Sequence, residues 1–142
     1  MTNIGSRRVA LIVEDDPELQ LAMSERLERM DFEVRRALHY EAAVGQLQEA
    51  GEAPSLVCVD LELPTRSGYE LCEFIRGDLG LEEVPILVTS NSGFPPDVAS
   101  AEEAGADAFL EKPFTMRAFS GCVEALLDPE PLDERSSELG EV

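Results

Sequence analysis

Five side chains of chemically useful types stand at the ends of short apolar runs in this sequence. They are Glu14, Asp15, Asp60, Ser90 and Lys112. Three carboxylates held close together repel one another and attract a hard cation with oxygen ligands, most often Mg²⁺. Beside such a cation, one carboxylate can attack phosphorus and form an aspartyl phosphate. A lysine and a hydroxyl can then hold the remaining phosphoryl oxygens. Brought together, these residues would therefore favour phosphoryl transfer to a carboxylate.

The run Leu56–Val59 leads directly into Asp60 and is the centre of this pattern. A short apolar run bounded by turn residues is typical of a strand buried on both faces. Pro64 and Gly68 bracket the turn that follows, and a helical pattern begins near Tyr69. In open α/β sheets, ligands bind outside the carboxyl ends of the strands, where Asp60 would lie. Taken alone, this stretch is equally compatible with an aspartate that only caps the loop.

The rest of the chain predicts the elements that would position these residues. Strands are expected at 9–13, 32–34, 55–60, 84–88 and 108–110, and helices at 17–30, 40–50, 68–78, 95 to about 105, and 115–127. Alternating strands and helices predict an α/β fold with a doubly wound, five-stranded parallel sheet. Right-handed crossovers leave few arrangements, and in each common one the carboxyl ends of all five strands meet at one edge.

Composition excludes several classes of function. The 142-residue chain has 30 acidic and 11 basic residues, for a net charge of −19. This charge argues against binding to nucleic acid or to an anionic membrane surface, because both need clustered Lys and Arg. Neither a membrane-spanning run nor a signal-peptide core is expected. The cysteines, Cys58, Cys72 and Cys122, are interpreted as reduced, buried side chains, which favours a cytoplasmic location.

Three segments are expected along the chain. Residues 1–7 are a polar lead-in, residues 8–127 form one domain, and residues 128–142 are an acidic tail. The tail carries six acidic residues, two prolines and no sustained apolar pattern, so disorder is expected there.

At this point the sequence resembles a known family, the response-regulator receiver domain of bacterial two-component signalling, and within it the single-domain, chemotaxis-regulator-like type. The matching pieces are residues 13–17 (VEDDP), Asp60 with Pro64 and Gly68, Ser90, and residues 105–114 (GADAFLEKPF). Ser90 follows Asp60 by 30 positions and Lys112 follows it by 52, as in the family. The resemblance covers residues 8 to about 127 and implies a flavodoxin-like (βα)5 fold with strand order 2-1-3-4-5.

The resemblance also implies a role for each acidic residue. Asp60 matches the phosphoacceptor. Glu14 and Asp15 match the acidic pair that binds Mg²⁺ or Mn²⁺, with Asp15 as the direct ligand. Asp16 would take that place only if the alignment shifted by one residue. Asp60 and the backbone carbonyl of Glu62 would complete the protein ligands of the metal.

Three further residues match the family's switch. Ser90 matches the hydroxyl that follows the phosphoryl group, Lys112 the phosphate-binding lysine and Phe109 the switch aromatic. Phe109 is also compatible with a core position in the fifth strand. Asn91 replaces a usually small residue and is expected to crowd the path to the acceptor. Glu62 adds a negative side chain beside Asp60, so charge repulsion is expected to slow anionic donors or water.

The resemblance predicts a stand-alone receiver, not a turnover enzyme. A sensor histidine kinase or phosphotransfer protein would phosphorylate Asp60, and the face formed by the fourth helix, fifth strand and fifth helix would engage a downstream protein effector. Two alternatives come from other classes. An aspartyl-phosphate-type hydrolase is suggested by the carboxylates of Asp60 and Glu62, and a receiver-like interaction scaffold would work without phosphorylation.

Overall fold

A computed structural model describes residues 8–49, 51 and 53–128. Within this range, five strands alternate with five helices. The strands are β1 (Arg8–Val13), β2 (Phe32–Ala37), β3 (Leu56–Asp60), β4 (Ile86–Ser90) and β5 (Ala108–Glu111). The helices are α1 (Pro17–Arg29), α2 (Tyr40–Glu49), α3 (Gly68–Glu73), α4 (Pro95–Ala104) and α5 (Met116–Leu127).

The five strands form one parallel sheet in the order β2-β1-β3-β4-β5. Every residue of β3 and of β4 is buried, as expected for interior strands covered on both faces. The predicted α/β class, parallel sheet and strand order are therefore confirmed. This order puts the ends of β1, β3, β4 and β5 side by side along one edge.

Side chains that alternate along the strands pack into two separate hydrophobic cores, one on each face of the sheet. On one face, Ile12 and Cys58 pack with Met23 of α1 and Phe119 of α5. On the other face, the strands pack against α2, α3 and α4, with Leu71 among the buried residues. Burial of such apolar side chains is the main stabilising term of the fold. It fixes the sheet edge on which the polar residues lie.

Local signals explain where several helices begin and end. The Asp16 side chain caps α1 by accepting hydrogen bonds from the backbone N–H groups of Glu18 and Leu19, and Pro17 follows at the first helical position. Gly105 ends α4 with a φ of 116°, a conformation that glycine adopts without strain. The predicted start of α1 and end of α4 are confirmed.

Three predicted boundaries were wrong. The second strand runs from Phe32 to Ala37 and does not stop at 34. The fourth strand runs from Ile86 to Ser90, not from 84 to 88. Pro85 has no N–H to donate to the ladder, whereas Ser90 continues the strand into the polar edge. The helix predicted for 68–78 is α-helical only to Glu73 and continues as a π-helical segment, Phe74–Asp78. Side-chain periodicity does not distinguish these two helical forms.

Other sequence expectations have mixed outcomes. All three thiols are unpaired, and Cys58 and Cys72 are buried, as expected, whereas Cys122 is only half-buried. Across the described ranges, none of the helices is both long and apolar enough to cross a membrane. The predicted lead-in, residues 1–7, lies outside the described residues, as do residues 129–142 of the predicted tail.

Candidate functional site

Asp60 is the last residue of β3, and its side chain is almost completely buried. Oδ1 accepts a hydrogen bond of 2.9 Å from the backbone N–H of Glu62. Oδ2 accepts one of 3.0 Å from Nζ of Lys112. Both oxygens are therefore oriented by neighbours from two different strand ends, which is more than a loop cap requires.

Gly68 allows the loop after β3 to fold back against the strand. A Cβ at this position would lie 2.5 Å from the backbone oxygen of Asp60 and 2.9 Å from the Cα of Leu61. The N–H of Gly68 donates a 3.1 Å hydrogen bond to the Leu61 carbonyl. Since these contacts are with backbone, any larger residue would displace the segment that carries Asp60.

Glu14 is held at the end of β1 by a residue that sequence reasoning missed. The side-chain amide of Gln20, buried in α1, donates to the backbone carbonyls of Glu14 at 3.1 Å and of Ala37 at 2.9 Å. The signal available in the sequence was a polar residue at helical spacing from Met23 and Leu27. Such a residue on a buried face needs hydrogen-bond partners, and here the partners fix the β1–α1 loop.

The structure brings together three of the predicted carboxylates. Glu14, Asp15 and Asp60 each offer an oxygen within 4.8 Å of the others. Glu14 and Asp60 are buried, whereas Asp15 is exposed. Asp16 is not in this cluster, and one of its carboxylate oxygens caps α1. The geometry therefore favours Asp15 over Asp16 as the second acidic residue of the site.

Among the described residues, Lys112 is the cation that contacts Asp60 and Glu14. Nζ of Lys112 lies 3.0 Å from Asp60 Oδ2 and 3.1 Å from Glu14 Oε1. Lys112 is also the only lysine in the chain. Burial alone would lower the pKa of Lys112, but its hydrogen bond to Asp60 and its contact with Glu14 outweigh that effect and raise it. The ammonium group therefore stays charged.

Glu14 has an unusual proton affinity. Burial, and then the negative charge of Asp60, raise its pKa to about 7. The backbone N–H of Asp16, 3.1 Å from Glu14 Oε2, opposes this rise, as does Lys112. Within the described residues, Glu14 Oε1 is the buried side-chain oxygen that has no hydrogen-bond partner. Its 3.1 Å contact with Lys112 is an ion pair without hydrogen-bond geometry.

These residues fit a hard divalent cation. The donor set consists of carboxylate oxygens, which Mg²⁺ prefers. A buried oxygen of Glu14 lacks a hydrogen bond, so it is available either to a metal or to a water bound to one. Asp15 is exposed and adds an oxygen at the open side of the cluster. By resemblance to the family, the backbone carbonyl of Glu62 would add a further ligand.

The hydroxyl of Ser90, the last residue of β4, is engaged by Glu62. Ser90 Oγ donates a 2.5 Å hydrogen bond to Glu62 Oε2. The other oxygen, Oε1, accepts from the backbone N–H of Asn91 at 3.1 Å and from its side-chain amide at 3.4 Å. The sequence predicted that Glu62 would act through its charge and Asn91 through its bulk. The hydrogen bonds between them were not foreseen.

Phe109 and His39 make contacts outside this cluster. Phe109, in β5, is half-buried and packs against the core on the α2–α4 side of the sheet. This supports the core interpretation and leaves its switch role a prediction. His39 caps α2 by accepting a 3.2 Å hydrogen bond at Nδ1 from the backbone N–H of Ala42, which is a structural role.

Comparison with known proteins gives a consistent result. A family model described as "Response regulator receiver domain" matches residues 10–124. The chain is 33% identical over 123 residues to transcriptional regulatory protein GltR of Pseudomonas aeruginosa, covering 84% of this chain and 49% of that protein. It is 32% identical over 117 residues to the DNA-binding dual master transcriptional regulator RpaA of Synechocystis, covering 82% and 48%.

Solved structures agree with the fold. The BeF3-activated receiver domain of DrrB superposes with a TM-score of 0.76 at 27% identity, covering 85% of this chain and 97% of that domain. The chemotaxis response regulator CheY4 of Vibrio cholerae superposes with a TM-score of 0.79 at 22% identity, covering 86% and 100%, which supports the fold alone. The chain spans about half the length of the curated relatives it matches. With the family model covering most of its residues, the chain belongs to the response regulator receiver domain family.

Proposed function

We propose that Asp60 accepts a phosphoryl group from a sensor histidine kinase or a phosphotransfer protein, in a reaction that requires Mg²⁺ or Mn²⁺. The observation that carries this proposal is the buried Asp60 carboxylate, held 3.0 Å from the only lysine of the chain and grouped with Glu14 and Asp15. The family match supports the same role.

In the proposed reaction, a carboxylate oxygen of Asp60 forms a bond to phosphorus. The bond from phosphorus to the donor's imidazole nitrogen breaks, and that nitrogen keeps the electron pair. Lys112 already contacts Asp60 Oδ2, so its positive charge would meet the phosphoryl oxygens. A cation held by Asp15, Asp60 and the Glu62 carbonyl would neutralise further negative charge on those oxygens.

The proposed output is a change in protein binding at the face formed by α4, β5 and α5. Ser90 ends β4, and Lys112 directly follows β5, so both lie where the sheet meets this face. The proposal includes a downstream protein effector, a cytoplasmic location, and no contact with nucleic acid or membrane. It makes the chain a phosphoacceptor and not a turnover enzyme. The stand-alone status expected from the sequence stays a prediction.

Intact mass after incubation with acetyl phosphate tests the proposal. With Mg²⁺, the chain should gain one phosphoryl group, and with excess EDTA it should gain none. Gain without a divalent cation would contradict the metal requirement. Continuous release of phosphate from a simple phosphate monoester would favour the hydrolase alternative instead.

A phosphorylation-independent scaffold is the second candidate, and one observation favours it. The proton of the Ser90 hydroxyl is already donated to Glu62, so the switch residue is occupied without a phosphoryl group. If Asp60→Asn left the binding of an identified effector unchanged, the scaffold would be the better account.

A further inference from the structure

We propose that Glu62 is a latch that holds Ser90 and the β4–α4 loop in the resting position, and that phosphorylation of Asp60 opens it. This inference rests on the proposed function. It makes Glu62 a positioning residue that acts through hydrogen bonds, and not only a charge that repels phosphoryl donors.

The latch has two contacts. Oε2 of Glu62 accepts the hydroxyl proton of Ser90, and Oε1 accepts from the backbone and side chain of Asn91. A serine hydroxyl has one proton to donate. Ser90 therefore cannot donate to a phosphoryl oxygen on Asp60 while it donates to Glu62. Binding of Ser90 to the phosphoryl group and closure of the latch exclude each other.

A chain of hydrogen bonds continues from Ser90 to α4. Ser90 Oγ accepts a 3.0 Å hydrogen bond from the N–H of Ser92. Ser92 Oγ donates a 2.6 Å hydrogen bond to Oδ2 of Asp97, in the first turn of α4. Tyr69 Oη, from α3, donates a 3.3 Å hydrogen bond to the Asp97 carbonyl. Movement of the Ser90 hydroxyl would thus disturb contacts that reach the first turn of α4.

The position of Glu62 makes its release of Ser90 depend on a phosphoryl group on Asp60. Its backbone N–H donates to Asp60 Oδ1, and its carboxylate accepts from Ser90 at the end of the neighbouring strand. A phosphoryl group on Asp60 would bring negative charge towards that carboxylate and would offer Ser90 a competing acceptor. Both effects favour release of Glu62. Since Glu62 is exposed, its side chain can turn into solvent without leaving a cavity.

A double-mutant cycle with Mg²⁺ and beryllofluoride as the phosphoryl stand-in tests the latch. Glu62→Ala should tighten beryllofluoride binding about tenfold in the wild-type background, the effect of losing one hydrogen bond to a charged group. In a Ser90→Ala background the same change should alter beryllofluoride binding less than about twofold, because the hydroxyl for which Glu62 and the phosphoryl group compete is absent. If Glu62→Ala tightened beryllofluoride binding equally in both backgrounds, Glu62 would act only by charge repulsion. That result would overturn the latch.

A second measurement tests whether the chain of hydrogen bonds from Ser90 affects the first turn of α4. Ser92→Ala removes the hydroxyl that bonds Asp97 without changing any charge near Asp60. Amide hydrogen exchange at Asp97 and Val98, whose N–H groups donate to the Phe94 carbonyl, should accelerate in wild type when beryllofluoride is added. In Ser92→Ala it should already be fast without beryllofluoride. The matched control Ser120→Ala, a buried serine of α5 that donates only to the Arg117 carbonyl, should behave as wild type.

The outcomes distinguish the latch from the function on which it rests. If neither wild type nor Glu62→Ala binds beryllofluoride, both the latch and the phosphoacceptor role are wrong. If binding occurs, requires Asp60 and is additive in the cycle, only the latch is wrong. Unchanged exchange at Asp97 and Val98 on beryllofluoride binding would likewise overturn the connection to α4.

Discussion

The ammonium nitrogen of Lys112 lies 3.0 Å from Asp60 Oδ2, although the two residues are 52 positions apart in the chain. Parallel pairing of β3 with β4 and of β4 with β5 accounts for this contact. Asp60 pairs with Thr89, and the N–H of Lys112 donates a 2.7 Å hydrogen bond to the Ser90 carbonyl. The strand order thus brings Lys112 and Asp60 into the ion pair on which the proposed chemistry depends.

The first prediction concerns the reactivity of Lys112. Asp60→Asn removes the charge that favours the ammonium form, so the pKa of Lys112 falls and more free amine is present at mildly alkaline pH. Acetic anhydride should therefore acetylate Lys112 severalfold faster in Asp60→Asn than in wild type. Mass spectrometry of the Lys112 peptide, with a small reference amine in the same tube, measures the rate. Equal rates would mean that the contact does not control the pKa of the lysine.

The second prediction compares two glycines. Gly68→Ala should lower the free energy of unfolding by about 1–3 kcal/mol, because its Cβ would meet the backbone of Asp60 and Leu61. Gly45→Ala, inside α2 with open space around the new Cβ, should raise it by about 0.5–1 kcal/mol. Urea denaturation measures both values. The close approach would be disproved if Gly68→Ala were as stable as wild type.

The third prediction separates Asp15 from Asp16. Asp15→Asn should weaken Mg²⁺ binding at least about tenfold, because a carboxylate ligand of the cluster becomes a neutral amide. Asp16→Asn should change it little, since Asp16 caps α1 and asparagine is an equally good cap. Titration calorimetry with MgCl₂ measures both affinities. A stronger effect of Asp16→Asn would reverse the assignment of the metal ligand.

The fourth prediction is a pH dependence of stability in the metal-free protein. The pKa of Glu14 is about 7 in the folded chain and near 4.5 in the unfolded chain, so the native state binds more protons between these values. The free energy of unfolding contributed by Glu14 therefore falls as pH rises from 4.5 to about 7.

Glu14→Gln provides the control for that pH dependence. The variant has no proton to lose at this position, so wild type should lose stability relative to it across the same interval. Denaturation in EDTA at several pH values gives the difference. If the difference in free energy of unfolding between wild type and Glu14→Gln stayed constant, or shifted in favour of wild type as pH rises, the pKa of Glu14 would not be raised.

Sequence reasoning predicted the sheet well, because apolar runs of four or five residues alternate with helical patterns and leave few topologies. It also predicted which residues would meet at the edge, since parallel strands all end there. The residues at which strands end were predicted less well. Ser90 belongs to β4 rather than to the loop after it, because ladder pairing continues past the apolar residues. No pattern of residue types shows where such pairing stops.

The contacts inside the site could not be predicted from residue types. Glu62 was recognised as an unusual charge, but the direction of its side chain towards Ser90 depends on the turn closed at Gly68. Gln20 was missed because its partners are backbone carbonyls of two other segments. Hydrogen bonds of this kind depend on tertiary positions, which periodicity and composition do not encode.

The most direct measurement of the central claim is the position of the covalent phosphoryl group. After incubation with Mg²⁺ and acetyl phosphate, borohydride reduction converts an aspartyl phosphate to homoserine, which tandem mass spectrometry can locate in the chain. We expect homoserine at position 60 in wild type and none in Asp60→Asn. Homoserine at Asp15 or at another carboxylate in wild type, or a phosphorylated Asp60→Asn chain, would contradict the assignment of Asp60 as the phosphoacceptor.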